Sequence, residues 1–367
     1  MIHIRKPAAL GKFFRPAVLL FAVLSAACTT IGPATIPRDR FDYAAAISDS
    51  WKNQMLLNLV KARYAEAPVF LDIASAINSY SIETGGSVGV EFQTPLVSNA
   101  NTLGLGATTK YTDRPTITYS PLIGDKFGKS LMTPIPPAAL LGLMQAGWNS
   151  EMLLRCCVHS INGLRNYSQR GVIGHPPDPE FVRLIAVLGR IQKAGGMGMR
   201  VVREKEASGT VLFFPPKVAG PSAADIAEAE QLLGIKVTTG AEFTVNYGTV
   251  PRSDREIAFL TRSMLETLLD MASYIDVPAA HVAENRASPG FSDVGGAASG
   301  LKPLIRVHSG MERSNDAFVA IRYRDRWFWI DDRDLVSKGM FSFLMFLFTL
   351  TESGGGQVSP VLTVPAG

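Results

Sequence analysis

Two glycine-rich segments have the spacing of motifs that carry chemistry. Residues 85–89 (GGSVG) match the G-x-S-x-G pattern of a serine nucleophile, and residues 124–130 (GDKFGKS) resemble a phosphate-binding loop with one residue missing between its glycines. A catalytic serine needs a sharp turn between a strand and a helix. Here an alternating strand pattern runs through Ser87 on both sides. We therefore predict no catalytic residue and no cofactor in either segment.

Other residues could bind a metal ion. Asp331, Asp332 and Asp334 lie within one turn, and a hard divalent cation prefers oxygen ligands. The same carboxylates precede an apolar helix, where negative charge is stabilised by the helix dipole, and we favour that capping role. Cys156 and His159 share one side of a predicted helix, but a zinc site needs three or four ligands. We therefore predict no metal site.

Aromatic residues near the C-terminus suggest two interpretations. Trp327, Phe328 and Trp329 could form a binding platform for glycans. In a strand, however, Trp327 and Trp329 share one face, and Phe328 and Ile330 share the other. A strand that is apolar on both faces is typical of a central, buried position, which is the interpretation we favour.

The N-terminus has the features of a signal peptide. Its basic start contains no acidic residue, residues 17–24 form an apolar run too short to span a bilayer, and small residues lead to Cys28. This segment resembles a bacterial lipoprotein signal, although Ser25 replaces the usual aliphatic residue three places before the cysteine. The resemblance implies removal of residues 1–27 and lipidation of Cys28. The alternative is an ordinary secretory signal with an incidental cysteine.

The same resemblance implies a location. Thr29, in place of an aspartate after the cysteine, favours the outer membrane, with the protein facing the periplasm. The partner of acylated Cys28 would then be outer-membrane lipid, and two or three acyl chains hold a protein firmly on a bilayer. The segments WKNQMLLNLVKARY and WFWIDDRDL also resemble a family of uncharacterised bacterial outer-membrane lipoproteins, which implies a location but no site.

Charge and cysteine content narrow the function further. Without the four basic residues of the leader, 36 − 4 = 32 basic residues face 32 acidic ones. Nucleic-acid binding needs a clustered basic surface, so we expect no nucleic-acid partner. Cys156 and Cys157 are neighbours in a predicted helix, and a disulfide between them would be strained. We expect two buried thiols.

The segment from Tyr80 to Tyr119 alternates between apolar and polar residues with a period of two. This pattern predicts a β-hairpin with one apolar face and one polar, glycine-rich face. Its strands approach the nine to eleven residues that cross a bilayer as tilted strands. The residues expected to face a membrane are Val88, Val90, Phe92, Leu103 and Leu105.

The overall pattern predicts an α+β protein with a helical N-terminal half and a mixed C-terminal half that contains a small antiparallel sheet. We expect a linker at 28–40, a helical domain with the hairpin at 41–175, an α+β domain at 176–353 and a flexible tail at 354–367. Asp42, Asp178 and Ser253 are the predicted helix caps, Ser253 with Glu256 opening a helix that extends to Ile275. Residues 285–302 suggest a mobile loop.

Three functions remain open at this point. The first is a non-enzymatic, lipid-anchored envelope protein with a structural or assembly role and envelope protein partners. The second is an oligomeric outer-membrane pore or secretion lipoprotein, in which several copies donate hairpin 80–112 to one shared barrel. The third is an envelope hydrolase that acts on glycan with an unrecognised acidic pair.

Overall fold

The computed structural model describes residues 31–77, 80–91, 102–113, 116–170, 173–204, 207–213, 223–236 and 242–352. Cys28 and its leader, Phe92 and the predicted tail 354–367 lie outside these residues. The α+β fold class with small antiparallel sheets is confirmed. The described residues divide into two compact units, one of residues up to 48 with 75–117, the other of 49–74 with those from 118 onward.

The helices differ in length from a few residues to more than thirty. They are α1 (Ile31–Arg63), α2 (Asp125–Met132), α3 (Pro137–Gln145), α4 (Ser150–Cys157), α5 (Pro179–Lys193), α6 (Ala223–Leu233), α7 (Met264–Ala272), α8 (Ala279–Ala283) and α9 (Leu335–Glu352), with a 3₁₀ turn at Ala297–Ser299. Helix α1 begins at Ile31 rather than near Tyr43, so residues 31–40 of the predicted linker are helical. Extending an existing helix avoids the cost of nucleation, and Asp42 is therefore not its cap.

The strands form several small sheets. They are β1 (Phe70–Ile77), β2 (Tyr80–Glu91), β3 (Thr102–Asp113), β4 (Thr116–Leu122), β5 (Val158–Ile161), β6 (Leu164–Arg165), β7 (Ser168–Arg170), β8 (Ile173–His175), β9 (Gly198–Glu204), β10 (Ala207–Phe213), β11 (Glu242–Tyr247), β12 (Glu256–Thr261), β13 (His308–Gly310), β14 (Ala317–Tyr323) and β15 (Arg326–Asp331).

The largest sheet has six strands in the order β6-β5-β12-β11-β10-β9. Its neighbours are antiparallel except for the parallel pair β11 and β12. The predicted domain boundary at 175/176 falls inside the second unit. Strands β5 and β6 of this sheet precede the boundary, and its other four strands follow it. A further sheet has the order β13-β15-β14.

The helix predicted from Ser253 is wrong in its first part. Residues Glu256–Thr261 form β12, a strand between β5 and β11 that is buried at nearly every position. The capping box is present ten residues later, where Ser263 and Glu266 exchange hydrogen bonds at the start of α7. A run that is apolar on both faces suits a central strand as well as a helix, and the tertiary position decides between them.

Two other segments also differ from their predictions. Residues 158–161, predicted to continue the helix from Glu151, form strand β5. Asp178 does occupy the N-cap position of α5, but its carboxylate accepts hydrogen bonds from the backbone and guanidinium of Arg165 instead. For residues 158–161, pairing with the neighbouring strand β12 outweighs the local helix preference.

The glycine-rich segment 285–302 is packed rather than loose. Arg63, at the end of α1, is buried and donates hydrogen bonds to the carbonyls of Ser288 and Pro289. Phe291 is buried, and a Cβ placed on Gly296 would lie 2.2 Å from its ring. Gly296 therefore permits close packing, and the glycine content of this segment does not indicate mobility.

Helix α9 contributes to the core of the second unit. Its aromatic and aliphatic side chains Phe341, Phe343, Leu344 and Phe348 are fully buried, whereas Phe346 and Leu350 on its outer side are exposed. The helix therefore belongs to the core of this unit. Within the part of the chain that the structure describes, no helix has both the length and the apolar character needed to cross a membrane.

Candidate functional site

The predicted hairpin is present, and its register is regular. Strands β2 and β3 pair in antiparallel fashion over twelve residues each, from Tyr80 opposite Asp113 to Glu91 opposite Thr102, without a register shift. The candidate membrane residues face one another across this ladder: Val88 is opposite Leu105, and Val90 is opposite Leu103. Directly opposed residues of antiparallel strands share one face of the ribbon. The apolar positions of both strands therefore occupy the same face.

The other face of the hairpin is polar and built from small residues. It pairs Ser87 with Gly106 and Gly89 with Gly104. Glu83 lies opposite Lys110, with 4.0 Å between the carboxylate and the ammonium group, and both side chains are exposed. The two opposite charges therefore partly neutralise each other across the ladder.

The outer edges of the hairpin are open. Strands β2 and β3 form a sheet of two strands among the described residues, so each has one row of backbone N–H and C=O groups without a strand partner. Hydrocarbon offers no hydrogen bonds to such groups, and an open edge is therefore not stable within a bilayer. A single hairpin of this kind needs neighbouring strands if it enters a membrane.

The acidic cluster that follows β15 is engaged by neighbouring groups of the chain. Asp331 accepts hydrogen bonds from the backbone and guanidinium of Arg333, which lower its pKa to about 2. Asp332 contacts the ammonium group of Lys338 at 2.6 Å. Asp334 accepts bonds from the backbone and hydroxyl of Ser337, as expected of a helix cap. Within the described residues, no group of three metal-binding side chains comes together.

The remaining sequence motifs do not form sites. Ser87 lies inside β2, with strand on both sides and no turn. The phosphate-loop-like segment becomes α2 from Asp125 onward. Cys156 and Cys157 are buried free thiols, and burial raises the pKa of Cys156 well above its usual value, which disfavours the thiolate that binds metal.

Strand β15 takes the central position of its sheet, as predicted for 327–330. Phe328 and Ile330 are fully buried, whereas Trp327 and Trp329 on the opposite face are half-buried. The ring of Trp329 lies 5.7 Å from that of His308, and the Arg313 guanidinium lies 5.6 Å from the Trp327 ring. One face of β15 therefore contributes side chains to the core, and polar side chains lie against its other face.

A cluster that the sequence does not reveal forms where three loops of the second unit meet. Tyr64 and Glu66 follow α1, His281 lies in α8 with Arg286 just after it, and Tyr323 and Arg324 lie at the turn between β14 and β15. Tyr64 precedes the other two segments by more than 200 residues in the chain, yet its hydroxyl lies 2.8 Å from Nδ1 of His281. The cluster is the candidate polar site of this unit.

The turn at Arg324 and Asp325 has unusual backbone geometry. Their φ angles are +46° and +60°, the left-handed conformation that a two-residue hairpin turn requires and that glycine or asparagine usually supplies. Arg324 is held there by its contacts: its guanidinium lies 2.8 Å from the Glu66 carboxylate and 4.5 Å from the Tyr64 ring. Tyr323 also donates a hydrogen bond to Glu66.

The protonation state of His281 follows from its neighbours. Arg286 lies 3.1 Å from Nε2, and because a guanidinium can only donate, Nε2 must accept. Burial, and then the positive charge of Arg286, lower the pKa of His281, so the ring is neutral at pH 7. Its proton therefore sits on Nδ1 and is donated to Tyr64. The Tyr64 hydroxyl keeps its own proton free to donate elsewhere.

Glu66 and Tyr64 respond in opposite directions to this environment. Hydrogen bonds from Tyr323 and Arg324 lower the pKa of Glu66, so it stays ionised. Burial raises the pKa of Tyr64 despite the arginines near it, so it stays a neutral phenol. Neighbouring hydrogen-bond donors also lower the pKa of Asp178, Asp331 and Asp334. A glycosidase acid needs the opposite shift.

A small cavity of about 160 Å³ adjoins this cluster, with Tyr64, Asn285, Arg286 and Ser288 in its wall. A larger cleft of about 590 Å³ is lined by Arg63 and by other charged residues of both signs, among them Asp276, Asp293 and Arg306. The turn at 324–325 is visible in the sequence, but its partners are not, because nothing local connects Tyr64 with His281.

Comparison with known proteins adds no relative to this description. No family model, no curated protein and no solved structure matches the chain.

Proposed function

We propose that this protein is a non-enzymatic, lipid-anchored envelope protein whose hairpin β2–β3 enters a lipid bilayer as part of an oligomer. The observation that carries the proposal is the register of the hairpin, which puts Val88, Val90, Leu103 and Leu105 on one face. Shifting one strand by a single residue would distribute them over both faces. The leader that resembles a lipoprotein signal, with Cys28, supports anchoring at the outer membrane.

The dimensions of the hairpin suit this role. Twelve residues at about 3.4 Å each extend about 40 Å, and a tilt of about 45° reduces the height to about 29 Å. The hydrocarbon layer is about 30 Å thick. The small residues Ser87, Gly89, Gly104 and Gly106 would face the interior of a pore, together with the Glu83–Lys110 pair.

Oligomerisation follows from the open strand edges. Because a two-stranded ribbon leaves backbone groups unpaired on both sides, each hairpin in lipid must pair with its neighbours. Several copies, each anchored by its own acyl chains, would bring their hairpins together at high local concentration. The partner we propose is therefore a further copy of this chain, with outer-membrane lipid around it.

A pair of adjacent substitutions tests the proposal. Val88 and Ser87 are neighbours on opposite faces, so Val88→Asp places a charge on the lipid face and Ser87→Asp places one on the polar face. An acidic residue on a lipid-facing strand costs less than the roughly 2–4 kcal/mol of a basic one, and still weakens insertion several-fold or more. We expect Val88→Asp to abolish dye release from phosphatidylethanolamine–phosphatidylglycerol vesicles and Ser87→Asp to retain it.

The anchor is tested separately, so that the two parts of the proposal can fail independently. We expect radioactive palmitate to label the chain and Cys28→Ser to remove the label. Both hairpin variants are then compared in the Cys28→Ser background, where only the hairpin holds the protein on vesicles. Equal vesicle binding by Val88→Asp and Ser87→Asp would contradict membrane insertion of the hairpin, and a chain that is never labelled would contradict the anchor.

A further inference from the structure

The small cavity beside Tyr64 has an unusual set of donors. None of its lining residues is an aspartate or glutamate. Its lining residues Arg286, Ser288, Asn285 and Tyr64 each have a side chain that can donate hydrogen bonds. Among the described residues, the structure gives the side chains of Ser288 and Asn285 no hydrogen-bond partner. The Tyr64 hydroxyl accepts its hydrogen bond from His281, so the hydroxyl proton of Tyr64 is not used in that contact. The cavity therefore presents donors and one positive charge to whatever occupies it.

We infer that this cavity binds a phosphate group, with Arg286 supplying charge and Tyr64, Ser288 and Asn285 donating hydrogen bonds to its oxygens. Its volume of about 160 Å³ admits a small tetrahedral anion. Donors on two separate chain segments, 64–65 and 282–289, suit an anion with several acceptor oxygens. The inference is independent of the membrane role proposed for the hairpin.

The charges around the cavity favour an anion. Arg63, Arg286, Arg324 and Arg326 all act on Tyr64, and the carboxylates that contact this group are Glu66 on Arg324 and Glu284 on Arg286. Arg63 lines the larger cleft together with Asp276 and Asp293, which act on it, and it does not line this cavity. The remaining three arginines and two carboxylates leave a formal excess of 3 − 2 = +1, which a bound phosphate would neutralise.

Calorimetry with inorganic phosphate tests the inference. The full chain in detergent is titrated with phosphate at constant ionic strength, with chloride as the reference. We expect saturable binding that Arg286→Gln and Tyr64→Phe each weaken about tenfold or more, because a hydrogen bond to a charged group contributes about 1.5–3 kcal/mol. Arg183→Gln is the matched control, since Arg183 is an exposed arginine paired with Glu228 on α5 and α6, and it should bind phosphate like the parent.

The outcomes separate the sources of the phosphate. The same variants are tested on phosphatidylglycerol vesicles in the Cys28→Ser, Val88→Asp background, where neither the acyl anchor nor the hairpin contributes binding. If Arg286 is needed for binding free phosphate but not vesicles, the ligand is a soluble phosphate compound. If Arg286 is needed for binding vesicles, the ligand is a lipid headgroup. Either result supports the site. Phosphate and vesicle binding that Arg286→Gln leaves unchanged would overturn it. Because Arg286 is exposed, that variant stays informative even if Tyr64→Phe lowers Tm.

Discussion

Two antiparallel hairpins of this protein have similar ladders and different surroundings. In β14–β15 one face supplies the fully buried side chains Phe328 and Ile330, and α9 packs against β15. In β2–β3, by contrast, the register collects apolar positions on one face of a two-stranded ribbon. A two-stranded ribbon is marginally stable alone. The register of a β-ladder therefore determines which residues share a face, and the layer that packs against that face determines its role.

The largest expected effect tests whether the two hairpins belong to different cooperative units. Phe328→Ala should lower the free energy of unfolding of the second unit by about 3–5 kcal/mol, because it leaves a cavity in the core. Val90→Ala, in the other hairpin, should leave that transition unchanged. Urea denaturation followed by tryptophan fluorescence measures both. Similar losses from the two substitutions would mean that the hairpins share one core.

A second prediction concerns the contacts that tether the β14–β15 turn to Glu66. The pKa of Glu66 is lowered in the folded state, so its contribution to stability is present above its ordinary pKa of about 4.5 and is lost as the pH falls through the lowered value. Glu66→Gln should reduce stability by about 1 kcal/mol at pH 7, since solvent screens this pair. Thermal unfolding from pH 7 to pH 3 should show the parent and variant converging at acid pH. A constant difference would contradict the assignment.

The turn itself offers a smaller effect of opposite sign. Asp325 has a φ of +60° and its side chain is 92% exposed. Asp325→Gly should therefore stabilise the protein by about 0.5 kcal/mol, because glycine adopts this conformation without a steric cost. Arg324→Gly relieves the same kind of strain but removes the contacts with Glu66 and Tyr64, so it should not stabilise. Differential scanning calorimetry compares the two, and equal gains would mean that the Arg324 contacts contribute nothing.

The smallest effect probes the polar face of β2–β3. Glu83→Lys places two like charges opposite each other and should weaken the local pairing by less than about 1 kcal/mol. Adding Lys110→Glu restores opposite charges and should restore the pairing. Amide hydrogen exchange at β2 and β3 in low and high salt measures this change. Lower protection in the double variant than in Glu83→Lys would contradict the observed register.

Local patterns predicted several elements well. The strict alternation from Tyr80 predicted the paired strands β2 and β3, and the three aspartates after β15 predicted the Asp334 cap of the last helix. Residues 256–261 and 158–161 were assigned to helices because an apolar run has the same composition in a buried strand and in a buried helix. Only pairing with neighbouring strands distinguishes them.

By itself the sequence determined the fold class, the hairpin and its apolar face, and the leader that resembles a lipoprotein signal, because each depends on residues close together in the chain. The tertiary structure decided the register that aligns the two apolar strands, the packing of segment 285–302 around Arg63, and the meeting of Tyr64 with His281 and of Glu66 with Tyr323. These last contacts join residues 217 and 257 positions apart, and periodicity carries no information over such separations.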